Sequence, residues 1–292
     1  MDSFAEKLAV VTGGGSGMGR ELVRQLAADG CSVAACDLYP ETADETVTLA
    51  LDGAPPGVRV TGHACDVADE AQVLRFRHEV LEAHDASHVD LVFSNAGCGG
   101  AGSFVKDSRE QWERVFAIDF WGVYYCARAF LPLLIKSQEG VLVNTSSVNG
   151  FWASLGPGIP QTAYSTAKFA VRGFSEALIE DLRTNAPHVR VAVVMPGHVG
   201  TNIVGNSIRT LGMELPPELR EALVKMDTDF REKAPVSAAE GAAIILDGVR
   251  SGAWRILIGN DAARLDEFVR GNPAAAYDYE ELGKSMGATR SE

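Results

Sequence analysis

The sequence predicts an α/β fold: a parallel, doubly wound sheet of seven strands with helices on both faces. Three observations predict it. Short β-branched runs alternate with helical stretches along most of the 292 residues, and such a rhythm sets strands side by side with helices between them. A glycine-rich turn joins the first strand to the first helix. Several later strands end in small or polar residues, and open sheets of this kind bind ligands outside their strand C-termini. No repeat or linker-like stretch divides the chain, so one domain over 1–292 is expected.

The elements follow in order. Lys7 to Thr12 is a strand run that ends in Gly13-Gly-Gly-Ser-Gly-Met-Gly19, and a helix follows from Arg20, closing at Gly30. Glycines there let backbone approach a pyrophosphate, and the helix N-terminus then faces the negative charge. The second strand, Cys31 to Asp37, stops on an acid. A carboxylate at that place accepts from ribose hydroxyls and repels a 2′-phosphate, and Leu38-Tyr39-Pro40 offers no cation. NAD is therefore favoured over NADP. Val58 to Ala64 is a third strand ending in Asp66-Val67, and Asp69 caps a helix to about His84. Val89 to Phe93 is a fourth, delivering Ser94-Asn95-Ala96-Gly97, after which Gly97 to Gly102 reads as a flexible loop.

A single long helical stretch is expected from about Ser108 to Ser137, with Asp119 set among Ile118, Phe120 and Trp121. Gly140 to Ser147 is a buried strand, and from Ala163 apolar residues recur at helical spacing. Tyr164 and Lys168 are four residues apart, so they share a helix face. A buried ammonium beside a phenol lowers the phenol's pKa from about 10, giving a proton donor and acceptor usable near neutrality. Ser147 stands ready to hold the oxygen of a carbonyl or alcohol beside it. Val189 to Met195 is a sixth strand leading to Pro196-Gly-His-Val-Gly-Thr201.

Residues 202–235 break the rhythm, with Ile203, Val204, Ile208, Leu211, Met213 and Leu215 among Gly and Pro, then a charged helix from Pro217 to Lys233. A substrate lid is expected there. Ser237 caps a helix to Val249, and Trp254 to Gly259 is the seventh strand. The extension from Asn260 carries one amphipathic set (Leu265, Phe268, Val269), and Lys284 to Glu292 reads as disordered.

A net charge of −13 argues against nucleic-acid and anionic-membrane surfaces. Five cysteines without C-x-x-C pairing read as core residues in a reducing compartment, and six histidines lack ligand spacing, so no metal is expected. The start lacks a basic segment and no apolar run nears membrane-span length, so a cytoplasmic location is expected.

Thr12-Gly13-x-x-x-Gly17-x-Gly19, Asp66-Val67, Asn95-Ala96-Gly97, Ser147, Tyr164-x-x-x-Lys168 and Pro196-Gly197-x-Val199-x-Thr201 occur in one order. Together they resemble the short-chain dehydrogenase/reductase family over about residues 5–260. The resemblance implies a Rossmann-like sheet and a nicotinamide cofactor. It implies that Gly13, Ser16, Gly17, Met18 and Gly19 line the pyrophosphate and adenosine side, with Asp37 and Leu38 at the ribose. Asp66 and Val67 would hold the adenine and Asn95, Ala96 and Gly97 the central stretch. Pro196, Gly197, Val199 and Thr201 would hold the nicotinamide end. Tyr164 and Lys168 would touch cofactor and substrate alike, and a homotetramer or dimer is the common assembly.

Three departures from the family pattern stand out. Asp119 occupies a place usually held by Asn, which positions a relay water. Arg20 follows the glycine motif where an aliphatic residue is common. The loop between Ser147 and Tyr164 is longer than usual, so Phe151, Trp152, Leu155 and Ile159, with Ile203 and Ile208 of the lid, are expected to line a substrate pocket. The expected activity is oxidation of a secondary alcohol or reduction of a hydrophobic, bulky ketone. Rival readings are an NADP-preferring ketoreductase of sugars or acyl carriers, and a non-catalytic NAD-binding regulator.

Overall fold

A computed structural model describes residues 1–100, 102–212 and 217–285. Seven parallel strands form the main sheet: β1 (Leu8–Thr12), β2 (Ser32–Asp37), β3 (Val60–Ala64), β4 (Leu91–Ser94), β5 (Gly140–Thr145), β6 (Val189–Pro196) and β9 (Arg255–Ile258). Their spatial order is β3-β2-β1-β4-β5-β6-β9. The chain winds outward from β1 in one direction, then crosses back to β4 and winds in the other. The loops after β1 and β4 therefore diverge, and a crevice opens between them above the strand C-termini.

Strand alternation decides which residues face which layer. Ala9, Val11, Val33, Ala35, Leu91 and Phe93 pack on one side against Leu22, Leu26, Ile245, Leu246 and Val249. These belong to α1 (Gly17–Ala28) and α9 (Ala238–Ser251). Val10, Ala34, Cys36, Val92 and Leu142 pack on the other side against Val73, Phe76, Phe130 and Leu182, supplied by α3 (Glu70–His84), α5 (Gly122–Leu134) and α6 (Thr162–Asn185). All five cysteines are buried free thiols.

Local signals set the helix ends. Asp69 accepts from Ala71 and Gln72 N–H at the start of α3. Ser237 and Glu240 form a reciprocal capping box at the start of α9. α2 (Pro40–Asp52) opens on proline, whose fixed φ suits a first helical position.

The expected single helix over 108–137 is instead broken into three. α4 (Arg109–Phe116) runs into a wider π turn, Ala117–Trp121, before α5. The extra residue turns Ile118 and Asp119 inward together, which a 3.6-residue period does not predict. Gly122 sits against Val67, where a side chain would collide with the Val67 methyl at 2.8 Å.

The segment 202–235, expected as a lid, carries one helix beyond the expected one from Pro217 to Lys233. It holds α7 (Ile203–Thr210) and α8 (Pro217–Glu232). Its two ends are pinned by a separate parallel pair, β7 (Val199–Gly200) and β8 (Val236–Ser237). Met213 and Leu215 lie outside the described residues. The C-terminal extension is also structured, with α10 (Asn260–Gly271), a 3-10 turn at Pro273–Ala275, and α11 (Tyr279–Ser285). Lys284, expected to begin a disordered end, belongs to α11; the rest of that expectation falls outside the described residues. No described helix is long and apolar enough to cross a membrane.

At the lower edge of the sheet, His84 closes α3 with Nε2 2.9 Å from Thr61 Oγ1. Burial, then Arg59 and His63, press its pKa from 6.5 to about 4. The folded chain thus keeps His84 neutral, whereas the unfolded chain takes up a proton below pH 6.5. This contribution is complete above pH 6.5 and is lost as pH falls toward 4. The melting temperature of His84→Gln is expected to fall less than that of the parent between about pH 7 and about pH 5. Parallel slopes in a thermal scan would exclude this role.

Candidate active site

The crevice floor is built by the glycine turn. Gly14 N–H donates to the Cys36 carbonyl at 2.9 Å, and Thr12 Oγ1 accepts from Asn95 and Ala96 N–H at 3.0 and 3.1 Å. The turn is thus stitched to both β2 and the loop after β4. Gly17 has φ +53°, and a side chain on Gly19 would run into the Gly13 carbonyl. The turn closes only with glycine at both places. Arg20 lies behind it: Nη2 donates to the Gly15 carbonyl at 2.7 Å and pairs with Glu45, while Nε reaches Thr46 at 3.1 Å.

Asp37 ends β2 with Oδ2 accepting from Gly15 N–H at 3.0 Å and Oδ1 from Tyr39 N–H at 3.2 Å. Burial raises its pKa, against the pull of these donors. Of the residues expected at a cofactor, the crevice is lined by Gly13, Ser16, Gly17, Met18, Asp37, Leu38, Asp66, Val67, Asn95, Ala96, Gly97 and Thr201. Gly19 lies under the turn, and Gly197 lies against Asp261. Pro196 and Val199 are buried at the end of β6 and in β7. Asp66 is held by Arg114 at 2.8 Å.

Sequence reasoning missed Tyr39, Arg114, Asn202, Asn206 and Thr210, all of which line the crevice. Only the apolar residues of the lid stood out in sequence, whereas its polar ones make the contacts. Asn206 Nδ2 donates to Ser16 Oγ at 2.9 Å, and Ser207 Oγ accepts from Gly99 N–H at 2.8 Å. Arg209 stacks 3.4 Å over the Tyr39 ring and pairs with Glu41 at 2.8 Å. α7 is strapped across the crevice by these contacts.

Ser147, Tyr164 and Lys168 are not among the crevice-lining residues; Ser147 follows β5 and caps a short 3-10 turn, its Oγ accepting from Asn149 N–H at 3.1 Å. Its hydroxyl lies near the Tyr164 phenol and favours the phenolate. Ser146 Oγ donates to the Lys168 carbonyl at 2.7 Å, fixing α6 against β5. Lys168 Nζ lies 5.4 Å from the Tyr164 ring centroid, donates to the Thr145 carbonyl at 3.2 Å and pairs with Asp119 Oδ1 at 3.0 Å. Asp119 is fully buried and Lys168 nearly so. Gly97 makes room for the pair, since a Cβ there would sit 2.6 Å from Asp119 Oδ1 and 3.2 Å from Lys168 Nζ.

The electrostatics correct one expectation. Burial alone would depress Lys168, but Asp119 and Tyr164 hold its ammonium above the ordinary range. Tyr164 is raised rather than lowered: burial outweighs the pull of Lys168, and the Asp119 carboxylate opposes that pull.

The expected pocket residues are not brought together. Phe151 and Trp152 are buried with Val193, Met195, Leu265 and Ala276, in a cluster built on the C-terminal extension. Their neighbours are apolar residues of β6 and α10, which offer a large ring more contact than the crevice does. Leu155 and Ile159 are exposed. Ile203 lines the crevice, and Ile208 is half-buried on α7.

Residues 7–211 match the model of the short chain dehydrogenases. The chain belongs to the short-chain dehydrogenase family. It is an oxidoreductase. The chain is 35% identical to SadH of Mycobacterium tuberculosis over 92% of each protein. It is 31% identical to meso-2,3-butanediol dehydrogenase of Serratia marcescens, over 84% of this chain and 94% of that one. A solved short-chain dehydrogenase of Burkholderia phymatum, in complex with NAD, superposes with a TM-score of 0.79 at 26% identity, covering 97% and 96%. The crevice of this chain fits a dinucleotide on its own terms. The glycine turn opens the N-terminus of a 12-residue helix, and a carboxylate closes the neighbouring strand.

The buried pair yields a stability test. Asp119→Ala leaves an unpaired ammonium and is expected to cost about 3–5 kcal/mol in urea unfolding. Adding Lys168→Met to that variant is expected to recover most of the loss, because the charge is then gone. Simple additivity of the two substitutions would show that the pair is not coupled.

Proposed function

We propose that the enzyme is an NAD(H)-dependent oxidoreductase that interconverts a secondary alcohol and a ketone. The observation that carries the reading is that Ser147 and Lys168 both lie beside Tyr164, with Lys168 next to Gly97 of the crevice that Asp37 also lines. Relatives named for such reactions support it: the butanediol dehydrogenase above, and a levodione reductase of Leifsonia aquatica, 30% identical over 84% of this chain and 89% of that one.

NAD is preferred to NADP on the charges present. Asp37 repels a 2′-phosphate. Arg20 is taken up by Glu45, Gly15 and Thr46, and Arg209 by Glu41 and Tyr39, so neither cation stands free at that end. The glycine turn would hold the pyrophosphate, Asp37 the adenosine ribose, and Lys168 the nicotinamide ribose. When bound, the nicotinamide supplies or accepts the hydride.

This chain's own residues manage the substrate oxygen. Ser147 Oγ donates to it, orienting the carbonyl beside Tyr164. In ketone reduction the Tyr164 phenol gives its proton to that oxygen; in alcohol oxidation the phenolate takes it back. The Lys168 ammonium stabilises the phenolate, and Asp119 moderates that effect by pairing with the same ammonium. Asp119 also fixes where Nζ points.

The substrate is read as uncharged and hydrophobic, taken under a lid formed by 202–235, where Ile203 and Ile208 are the apolar candidates. The chain is read as one domain with this lid and the extension from 260. A ladder of rings along α4 to α6 supports self-association: Trp112 stacks on Phe116 at 5.5 Å, Phe116 meets Phe120 at 5.4 Å, and Trp121 and Phe169 are exposed. A second copy of this face is the proposed partner, giving a dimer or tetramer. Five free thiols suit a reducing cytoplasm.

A panel of ketones from small aliphatic to bulky aryl, followed by nicotinamide absorbance, is expected to show turnover with NADH exceeding that with NADPH. Faster turnover with NADPH would sink the Asp37 argument. Tyr164→Phe is expected to lose at least about a hundredfold in kcat while NADH binding persists, the usual scale for a proton-transfer group. In the oxidation direction, Asp119→Asn removes a charge that raises Tyr164. The phenolate then forms at lower pH, so the rise of kcat with pH is expected to move to lower pH. A shift to higher pH would reverse the sign of the Asp119 role.

A further inference from the structure

Ser147 opens the long loop that leads from β5 to α6. Its next turn, Val148–Gly150, is three residues long. What holds it is the side chain of Asn149, buried to 2% exposure. Asn149 Nδ2 lies within hydrogen-bond reach of the Trp152 carbonyl at 3.3 Å, the Ser154 carbonyl at 3.2 Å and Ser165 Oγ at 3.3 Å. Asn149 therefore ties the loop after Ser147 to the residue next to Tyr164. Its own N–H is the donor to Ser147 Oγ.

Residues 151–154 are in turn gripped from outside. Trp152 Nε1 donates to the Ala276 carbonyl at 2.6 Å, Ala153 N–H donates to Tyr277 Oη at 3.1 Å, and Ser154 Oγ shares a hydrogen bond with Tyr279 Oη at 2.9 Å. Three successive loop residues thus bond the stretch after α10 and the first residue of α11. Beneath them, Phe151 and Trp152 pack on Leu265 and Ala276. α10 is itself fastened to the sheet, since Asp266 pairs with Arg255 of β9 and with Arg270.

We infer that the C-terminal extension is a strut that positions Ser147, with Trp152 and Asn149 as the positioning residues that transmit its hold. This rests on the reading of Ser147 as the group that orients the substrate oxygen. An indole N–H buried against a backbone carbonyl is a directional tie as well as a packing contact. A side chain whose job was to line a pocket would not spend its only donor on the far side. The strut also explains why the loop can be long: its length is used to reach the extension.

The test combines Trp152→Phe, which removes the indole N–H and trims the ring, with Tyr277→Phe and Tyr279→Phe, in the full chain; the two tyrosine changes alone, which remove only hydroxyls, are the variant free of any cavity. Three readouts are taken. Turnover of a ketone with NADH is expected to fall about tenfold, while the NADH dissociation constant by fluorescence stays within about twofold. The same changes made on Ser147→Ala are expected to cost less than about twofold more, since a strut acting through Ser147 has nothing left to position. Amide exchange at residues 149–154 is expected to quicken by about tenfold or more. Equal losses in the two backgrounds, or unchanged exchange at 149–154, would overturn the inference. If the parent turns over no ketone, the alcohol/ketone reading fails by itself, and the exchange measurement alone then decides whether the strut exists.

Discussion

Lys168 carries a charge into a site almost closed to water, and the structure around it is arranged so that this charge can stay. Asp119 lies 3.0 Å away, and the Thr145 carbonyl takes another of its donors. Each partner is costly alone and tolerable together. The arrangement then dictates other features: the π turn that brings Asp119 inward, the absence of a side chain at Gly97, and the Ser146 bond that seats α6 on β5. Removing any of these would move a charge relative to its partner, so backbone geometry and electrostatics are here one constraint.

The sheet supplies the other half of the design. Its strand order places the glycine turn after β1 and the Asn95-Ala96-Gly97 loop after β4 on either side of one crevice, and Thr12 bonds both. β5 delivers Ser147 to the same edge, and β6 runs beside it toward the lid. The glycine turn and the Ser147 corner are thus held by strands of one sheet, while the covering pieces, α7 and the extension, are attached with polar contacts at the rim.

Much of this was legible in sequence, for identifiable reasons. Strand and helix periods are local, so the seven strands and the caps at Asp69 and Ser237 could be placed from their own residues. Tyr164 and Lys168 share a face by spacing alone. What could not be read depended on partners distant in the chain. Trp152 looks like a pocket residue until Ala276, 124 positions later, is seen to accept its N–H. The raised phenol of Tyr164 follows first from its burial and then from Asp119 lying across the site, and no helical period predicts a π turn. The polar residues of α7 carry no periodic signal of their own, yet Asn206, Ser207 and Arg209 make the contacts.

The two-residue pair of β7 and β8 has a wider meaning than its size suggests. Val199 pairs with Val236 and Gly200 with Ser237, so both feet of the intervening segment stand on one fixed base. A segment closed in this way has already met the entropic cost of bringing its ends together, and that cost grows only slowly with added length. Its interior can therefore be lengthened, shortened or rewritten with little consequence for the seven-stranded sheet. Such a segment can change while Ser147, Tyr164 and Lys168 stay where they are, because the part that varies hangs from a hinge plate that does not.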